Sequence, residues 1–121
     1  MACNIELGNT GEELAVAHLR KNHYKIIERN YRCRFGEVDI VALDKKVLVF
    51  IEVKTRSSRR FGSPQTGVTP RKQRQLSKVA LSYLQKHNSF NREARFDVVA
   101  VEMQTKQKQI EIIRNAFEVS L

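Results

Sequence analysis

The sequence has few cysteines, no long apolar run and, across a long central stretch, no acidic residue. Its two cysteines, Cys3 and Cys33, are too few for a disulfide framework, which predicts a reducing compartment. The longest apolar run, Val47 to Ile51, is far too short to span a bilayer. Residues Met1 to Thr10 lack the basic start and apolar stretch of a secretion signal. We therefore expect a cytoplasmic protein.

The missing acids leave a continuous basic segment from Val53 to Arg92. It carries ten cations and no acid, whereas the rest of the chain carries 12 cations and 13 acids. The net charge of +9 therefore comes entirely from this segment. Charge of one sign generates a field that mixed charges do not, which predicts a polyanionic partner, nucleic acid before an anionic membrane surface. The alternative is a solvated face without a partner, which is what most charge runs are.

The length of 121 residues predicts one domain over residues 1–121. We place the first helix from an N-cap at Thr10 to Lys21, because Glu13 would complete a capping box. The dipeptide Thr69-Pro70 suits the start of a second helix, which ends near Lys86. A loop over Thr55–Thr69, a turn over Gln104–Lys108 and five strands make up the rest, the strands being Tyr24–Glu28, Gly36–Leu43, Val47–Lys54, Ala94–Met103 and Gln109–Ala116.

This order, α-β-β-β-α-β-β, predicts an α/β fold with a mixed central sheet flanked by helices. The third strand begins with the apolar run from Val47 to Ile51, so we place it in the middle of a covered sheet. The helix that follows it is a crossover, which favours parallel, right-handed pairing of the third and fourth strands.

Polar side chains interrupt the second and third strands where these strands do not need them. A tight turn at Lys45-Lys46 would place Asp39 directly opposite Glu52. The same register would place Glu37 opposite Lys54. A three-residue loop would shift the register by one and put the two carboxylates on opposite faces. We favour the first register.

Two facing carboxylates repel each other and resist burial, and a divalent cation between them relieves both problems. Mg²⁺ prefers hard oxygen ligands and binds through one or two carboxylates plus phosphates. Lys54 could hold an attacking water or offset charge on phosphate, and Glu12 could join from the first helix, since Glu13 is used in capping. The alternative is structural: Asp39 faces solvent, Glu52 and Lys54 form a surface ion pair, and Glu12 is a favourable charge at the start of the helix.

Longer motifs accompany these residues, namely Gly11-Glu12-x-x-Ala15, Asn30-Tyr31-Arg32, Gly36 to Ala42, Val49 to Arg56, Phe61 to Pro64, Val68 to Lys72 and Arg95 to Val99. With these motifs the chain resembles the YraN-like family of predicted endonucleases, which is distantly similar to archaeal Holliday junction resolvases. The resemblance implies a restriction-endonuclease-like fold with a PD-(D/E)-x-K active site. It implies that Asp39 and Glu52 are metal ligands, that Lys54 is the catalytic lysine and that Glu12 is an additional helix acid. Resolvase-like relatives also imply a homodimer, which the sequence leaves open.

The resulting hypothesis is an Mg²⁺- or Mn²⁺-dependent endonuclease that hydrolyses phosphodiester bonds in structured or branched DNA. Backbone phosphates would be held by four cations of the basic segment, Arg56, Arg71, Lys72 and Arg74. The alternative is a nucleic-acid-binding module that keeps the nuclease fold without the chemistry. Neither alternative involves a membrane partner.

Overall fold

The computed structural model describes residues 4–56, 67–103 and 108–120. In these ranges the helices and strands follow the predicted order: α1 (Asn4–Lys21), β1 (Tyr24–Cys33), β2 (Gly36–Asp44), β3 (Val47–Arg56), α2 (Pro70–Lys86), β4 (Ala94–Met103) and β5 (Lys108–Phe117). Neither of these two helices is long and apolar enough to cross a membrane.

The strands form a five-stranded sheet in the order β1-β2-β3-β4-β5. Strands β3 and β4 are parallel and the other neighbours are antiparallel, which confirms the predicted mixed α/β sheet. Leu48 and Phe50 of β3 pack in a cluster with α2, whereas Val49 and Ile51 pack in a second cluster with α1. The central strand is therefore covered on both faces, as its apolar run predicted.

The start of the second helix is as predicted. Thr69 is the N-cap of α2, its hydroxyl accepts a hydrogen bond from the Lys72 N–H at 3.2 Å, and Pro70 is the first helical residue. Leu76, Val79 and Tyr83 bury the apolar side of the helix against the sheet. Arg71 and Arg74 are exposed at the start of α2, whereas Lys72 is half-buried.

The predicted start of the first helix is wrong. Helix α1 begins at Asn4, so Thr10 lies inside it and forms no N-cap there. The start is predicted at Thr10 because Glu13 would complete a capping box, although Gly8 two residues earlier does not end the helix. A glycine inside a helix costs only about 1 kcal/mol relative to alanine, and the packing of a long amphipathic helix outweighs that cost.

Two strand bounds also differ from the prediction. Strand β1 continues past Glu28 to Cys33, because its second half pairs with β2 although Asn30 adopts a left-handed conformation with φ of 54°. Strand β3 includes Thr55 and Arg56, which the sequence assigned to a loop. Most of that predicted loop and the turn after Met103 lie outside the described residues.

The hairpin between β2 and β3 has the register that the sequence favoured, with Ile40 paired to Ile51. Beyond this pair the ladder ends, although neither strand does. Strand β2 continues along β1 to Gly36, and β3 continues along β4 to Arg56. We call this opening between β2 and β3 the fork.

The fork overturns two details of the predicted register. Glu37 does not face Lys54 but pairs with Arg32 across β1, with 2.6 Å between Arg32 Nε and Glu37 Oε2. Strict alternation along β2 also fails, because Val38 packs in the α2-side cluster whereas Ile40 packs in the α1-side cluster. The alternation of side chains between the two faces of the sheet is therefore interrupted at Asp39, the candidate metal ligand.

At the opposite end of the sheet a buried aspartate ties four strands together. Asp97 in β4 is fully buried, and its carboxylate accepts hydrogen bonds from Tyr24 Oη at 2.8 Å, from Arg95 Nε at 2.9 Å and from the Asn115 backbone N–H at 3.0 Å. Arg95 also donates to Asp44 Oδ2 at 2.7 Å. The network therefore links the start of β1 and the end of β2 to β4 and β5.

We expect Asp97→Ala to lower the free energy of unfolding by about 3–5 kcal/mol, because it leaves the Arg95 guanidinium and the Tyr24 hydroxyl without their buried partner. Urea unfolding followed by circular dichroism measures this loss. Glu118→Ala is the matched control, since Glu118 is exposed, and should change stability by less than about 0.5 kcal/mol. Equal effects of the two variants would contradict the anchoring role of Asp97.

Candidate active site at the fork

Asp39 and Glu52 meet at the fork. The Asp39 Oδ2 atom accepts a hydrogen bond of 2.8 Å from the Val53 backbone N–H. Because β2 and β3 are no longer paired here, this carboxylate takes the place of a backbone carbonyl of β2 as the acceptor. The Glu52 carboxyl lies close enough to Asp39 to act on its pKa through a side-chain hydrogen bond and through its charge. The structure thus brings together the two acids that the sequence placed opposite each other, and Asp39 is not a simple solvent-facing strand residue.

This contact changes the acidity of Asp39. Burial, the hydrogen bond to Glu52 and the charge of Glu52, in that order, raise the pKa of Asp39 to about 7, although the Val53 N–H lowers it. A half-buried carboxyl beside a second carboxylate keeps its proton to a higher pH than an exposed one, because its ionisation brings two negative charges together. A divalent cation stabilises such a pair in place of the proton.

Glu52 itself is buried and paired with a cation from α2. Its side chain is 8% exposed, and its Oε2 atom lies 3.6 Å from Lys72 Nζ. The predicted alternative, a surface ion pair between Glu52 and Lys54, is therefore wrong. The sequence assigned Lys72 to phosphate binding and gave no sign that its ammonium reaches the carboxylate.

Lys54 follows Glu52 on the side of β3 that faces the start of α2. A Cβ atom on Gly67 would lie 3.8 Å from Lys54 Cε and 3.1 Å from Arg56 Nη2. Both cations are partly buried and lie at the end of β3 beside Gly67. This places two of the predicted site cations at the fork.

Glu12 approaches from the opposite face of the sheet. A Cβ atom on Gly11 would overlap Thr55 Oγ1, so only glycine lets α1 come this close to β3. Glu12 Oε1 accepts hydrogen bonds of 3.2 Å from Arg29 Nε and from Asn30 Nδ2, on the strand next to Asp39.

The reason given for assigning Glu12 and not Glu13 is wrong, since α1 begins before Thr10 and Glu13 caps nothing. Glu13 binds Arg29 Nη2 at 2.6 Å instead. In the part of the chain that the structure describes, no group of three or more His, Cys, Asp or Glu side chains could hold a metal ion. The oxygen donors at the fork are those of the Asp39 and Glu52 pair, which suit a hard cation that keeps waters and phosphate oxygens as its other ligands.

The remaining predicted cations, Arg71 and Arg74, are exposed on α2 beside Lys72. The sequence analysis missed Arg34 and Phe35, which lie in the turn between β1 and β2 and face α2 across a groove. An exposed aromatic residue next to arginines in a hairpin turn, as in Arg32-Cys33-Arg34-Phe35, is a signal that could have found them.

The raised pKa of Asp39 predicts a specific pH dependence of stability without metal. Its ordinary value is 3.8, so the native state binds this proton more tightly than the unfolded chain does, and stability falls as pH rises from about 4 to about 7. Asp39→Asn keeps an acceptor for Val53 and adds a donor for Glu52. We expect it to raise the free energy of unfolding near pH 8 by on the order of 2–4 kcal/mol.

Urea unfolding in EDTA near pH 4 and near pH 8 measures this difference, which should vanish at the lower pH. Glu118→Gln is the control, because it removes an exposed carboxylate beyond the end of β5. An Asp39→Asn protein no more stable than the wild type near pH 8 would rule out the carboxyl pair.

The chain is similar to a family of known proteins over the residues that form this site. The model of the Uncharacterised protein family UPF0102 matches residues 11–101, which include every candidate site residue. A UPF0102 protein of Geobacter metallireducens is 53% identical over 97% of this chain and 96% of the relative, and one of Syntrophus aciditrophicus is 48% identical over 99% and 94%. The solved structure of SSO0001 aligns with a TM-score of 0.39 and 16% identity over 94% of this chain and 52% of that protein, too weak a likeness to build on. The chain belongs to UPF0102, the YraN-like family that its motifs resemble.

Proposed function

We propose that this protein is a divalent-metal-dependent nuclease that hydrolyses phosphodiester bonds in structured or branched DNA. The observation that carries the proposal is that the Asp39 carboxylate binds the Val53 N–H at the fork, directly beside the buried carboxylate of Glu52. Two neighbouring acids in a covered sheet lower the stability of the fold, because their repulsion and their burial both cost free energy. Stability alone therefore does not explain why they are there. Perturbed, partly buried acids of this kind are typical of active sites.

Asp39 and Glu52 would hold Mg²⁺ or Mn²⁺, and the residues fit this role. Both offer carboxylate oxygens, the Val53 N–H fixes the orientation of Asp39, and the contact between the acids is one that a cation would stabilise. A divalent cation bound in such a site would neutralise negative charge on the reacting phosphate.

The cations around the pair have distinct roles in this proposal. Lys54 holds the attacking water or offsets the charge that develops on phosphorus-bound oxygens. Lys72 keeps the Glu52 carboxylate in place at 3.6 Å. Arg56, Arg71 and Arg74 bind backbone phosphates on either side of the reacting bond.

Family membership supports the proposal without deciding the activity. The YraN-like resemblance implies a PD-(D/E)-x-K site on a restriction-endonuclease-like fold, and the mixed sheet with its acids on adjacent strands is compatible with it. A homodimer, which would let two sites address paired strands, stays a prediction.

Cleavage assays on the purified full chain test the proposal. We expect cleavage of a labelled four-way junction or flap DNA in Mg²⁺ or Mn²⁺, weaker cleavage of linear duplex and none in EDTA. Asp39→Asn, Glu52→Gln and Lys54→Met should each lower the rate by about 100-fold or more, because each removes a group that touches the metal or the reacting phosphate.

Two controls separate catalysis from stability and contamination. Lys46→Met removes an exposed lysine at the other end of the same hairpin and should leave the rate unchanged. Cleavage that survives Glu52→Gln at full rate would come from a contaminant and contradict the proposal. DNA binding without cleavage, together with no Mn²⁺ binding in calorimetry, would favour the non-catalytic binding module.

A further inference from the structure

A groove of about 630 Å³ lies between the β1–β2 turn and helix α2. We call it the α2 groove; its lining is Arg34, Phe35, Arg71, Arg74, Gln75 and Lys78. An adjoining hollow of about 500 Å³ shares Arg34, Phe35 and Lys78 with it and is also lined by Gln85 and Phe90, and we include this hollow in the α2 groove. Gly36 brings the turn against the helix, because its φ of 136° suits glycine and a Cβ atom there would overlap Gln75 Nε2.

Among the residues that the structure describes, the cations of the α2 groove have no acidic partner. Arg71, Arg74 and Lys78 recur at helical spacing along one side of α2, all three are exposed, and none forms an ion pair with a described acid. In contrast, Arg29 and Arg95 each bind two carboxylates. A row of unneutralised cations on one helix side is the arrangement that binds successive phosphates.

The groove also exposes aromatic rings, which the fold does not bury. Phe35 is 37% exposed and Phe90 is 61% exposed, and the Arg34 guanidinium lies 4.8 Å from the Phe35 ring centroid. An unpaired nucleotide has a free base face and a phosphate. An exposed ring can stack on the base, and a neighbouring cation can bind the phosphate. Bases stacked inside a duplex present no free face to such rings.

We propose that the α2 groove binds a single-stranded stretch of nucleic acid, with phosphates on Arg71, Arg74 and Lys78 and unpaired bases on Phe35 and Phe90. The inference rests on the proposed function and extends it, because it assigns the substrate an unpaired strand next to the bond that is cleaved. The groove begins beside the site, since Arg71 precedes Lys72, whose ammonium reaches Glu52. From Arg71 to Gln85 it follows α2 for about 21 Å at 1.5 Å per residue.

Fluorescence anisotropy in EDTA tests the groove apart from cleavage, using the Glu52→Gln protein and a labelled oligothymidylate or a blunt duplex of equal length. Adding Phe35→Ala and Phe90→Ala together should weaken binding of the single strand by about tenfold or more and that of the duplex by less than twofold. Adding Phe35→Tyr should preserve single-strand binding, because tyrosine also stacks. Ile27→Ala is the control, since Ile27 is another exposed apolar side chain, at 42%, outside the groove.

The cations are tested through the salt dependence of binding. Arg74→Met with Lys78→Met should reduce the slope of log affinity against log salt by about 1.4 for the single strand. Lys45→Met with Lys46→Met, at the β2–β3 turn, should leave the slope unchanged.

Equal losses for single strand and duplex in the phenylalanine variants would overturn the proposal, as would equally tight binding of polyglutamate at the same residues, which would indicate an acidic protein partner. Circular dichroism and urea unfolding check that each variant is folded. Because the assay requires neither metal nor cleavage, its outcome is independent of whether the fork is catalytic.

Discussion

The parting of β2 from β3 after the pair Ile40 and Ile51 is the constraint on which the candidate site depends. Each strand keeps its outer neighbour, so the sheet stays continuous on both sides while its middle opens. The Val53 N–H then loses its backbone partner, and a buried N–H must find another. It binds the Asp39 carboxylate, which holds that acid against Glu52. The end of the pairing between β2 and β3 thus places Asp39 beside Glu52.

Where local signals decide the structure, the sequence predicted it well. The turn at Lys45-Lys46 set the register that aligns Asp39 with Glu52, and Thr69-Pro70 set the first turn of α2. The apolar run of β3 predicted a strand covered on both faces. These features depend on a few neighbouring residues, whose turn, cap or burial preference is strong enough to act alone.

Where distant segments decide the structure, the sequence failed. The second half of β1 is a strand because β2 pairs with it, although Asn30 breaks the local pattern. The end of the ladder at the fork has no sequence signal, since both strands continue in extended form. The contact of Lys72 with Glu52 and the meeting of Phe35 with α2 depend on how a helix and a hairpin turn pack, which no spacing along the chain encodes.

The two ends of the sheet differ in the partners that surround an aspartate, which is fully buried at Asp97 and half-buried at Asp39. Asp97 is surrounded by donors from Tyr24, Arg95 and the β5 backbone, so its charge is satisfied and it joins four strands. Asp39 has one backbone donor and faces another acid. Its partial burial and the neighbouring Glu52 raise its pKa to about 7. Folding alone accounts for the first arrangement but not for the second, which persists only because the surrounding sheet is stable enough to hold it. The donors that join four strands around Asp97 stabilise the sheet, and this stability offsets the cost of holding Asp39 beside Glu52.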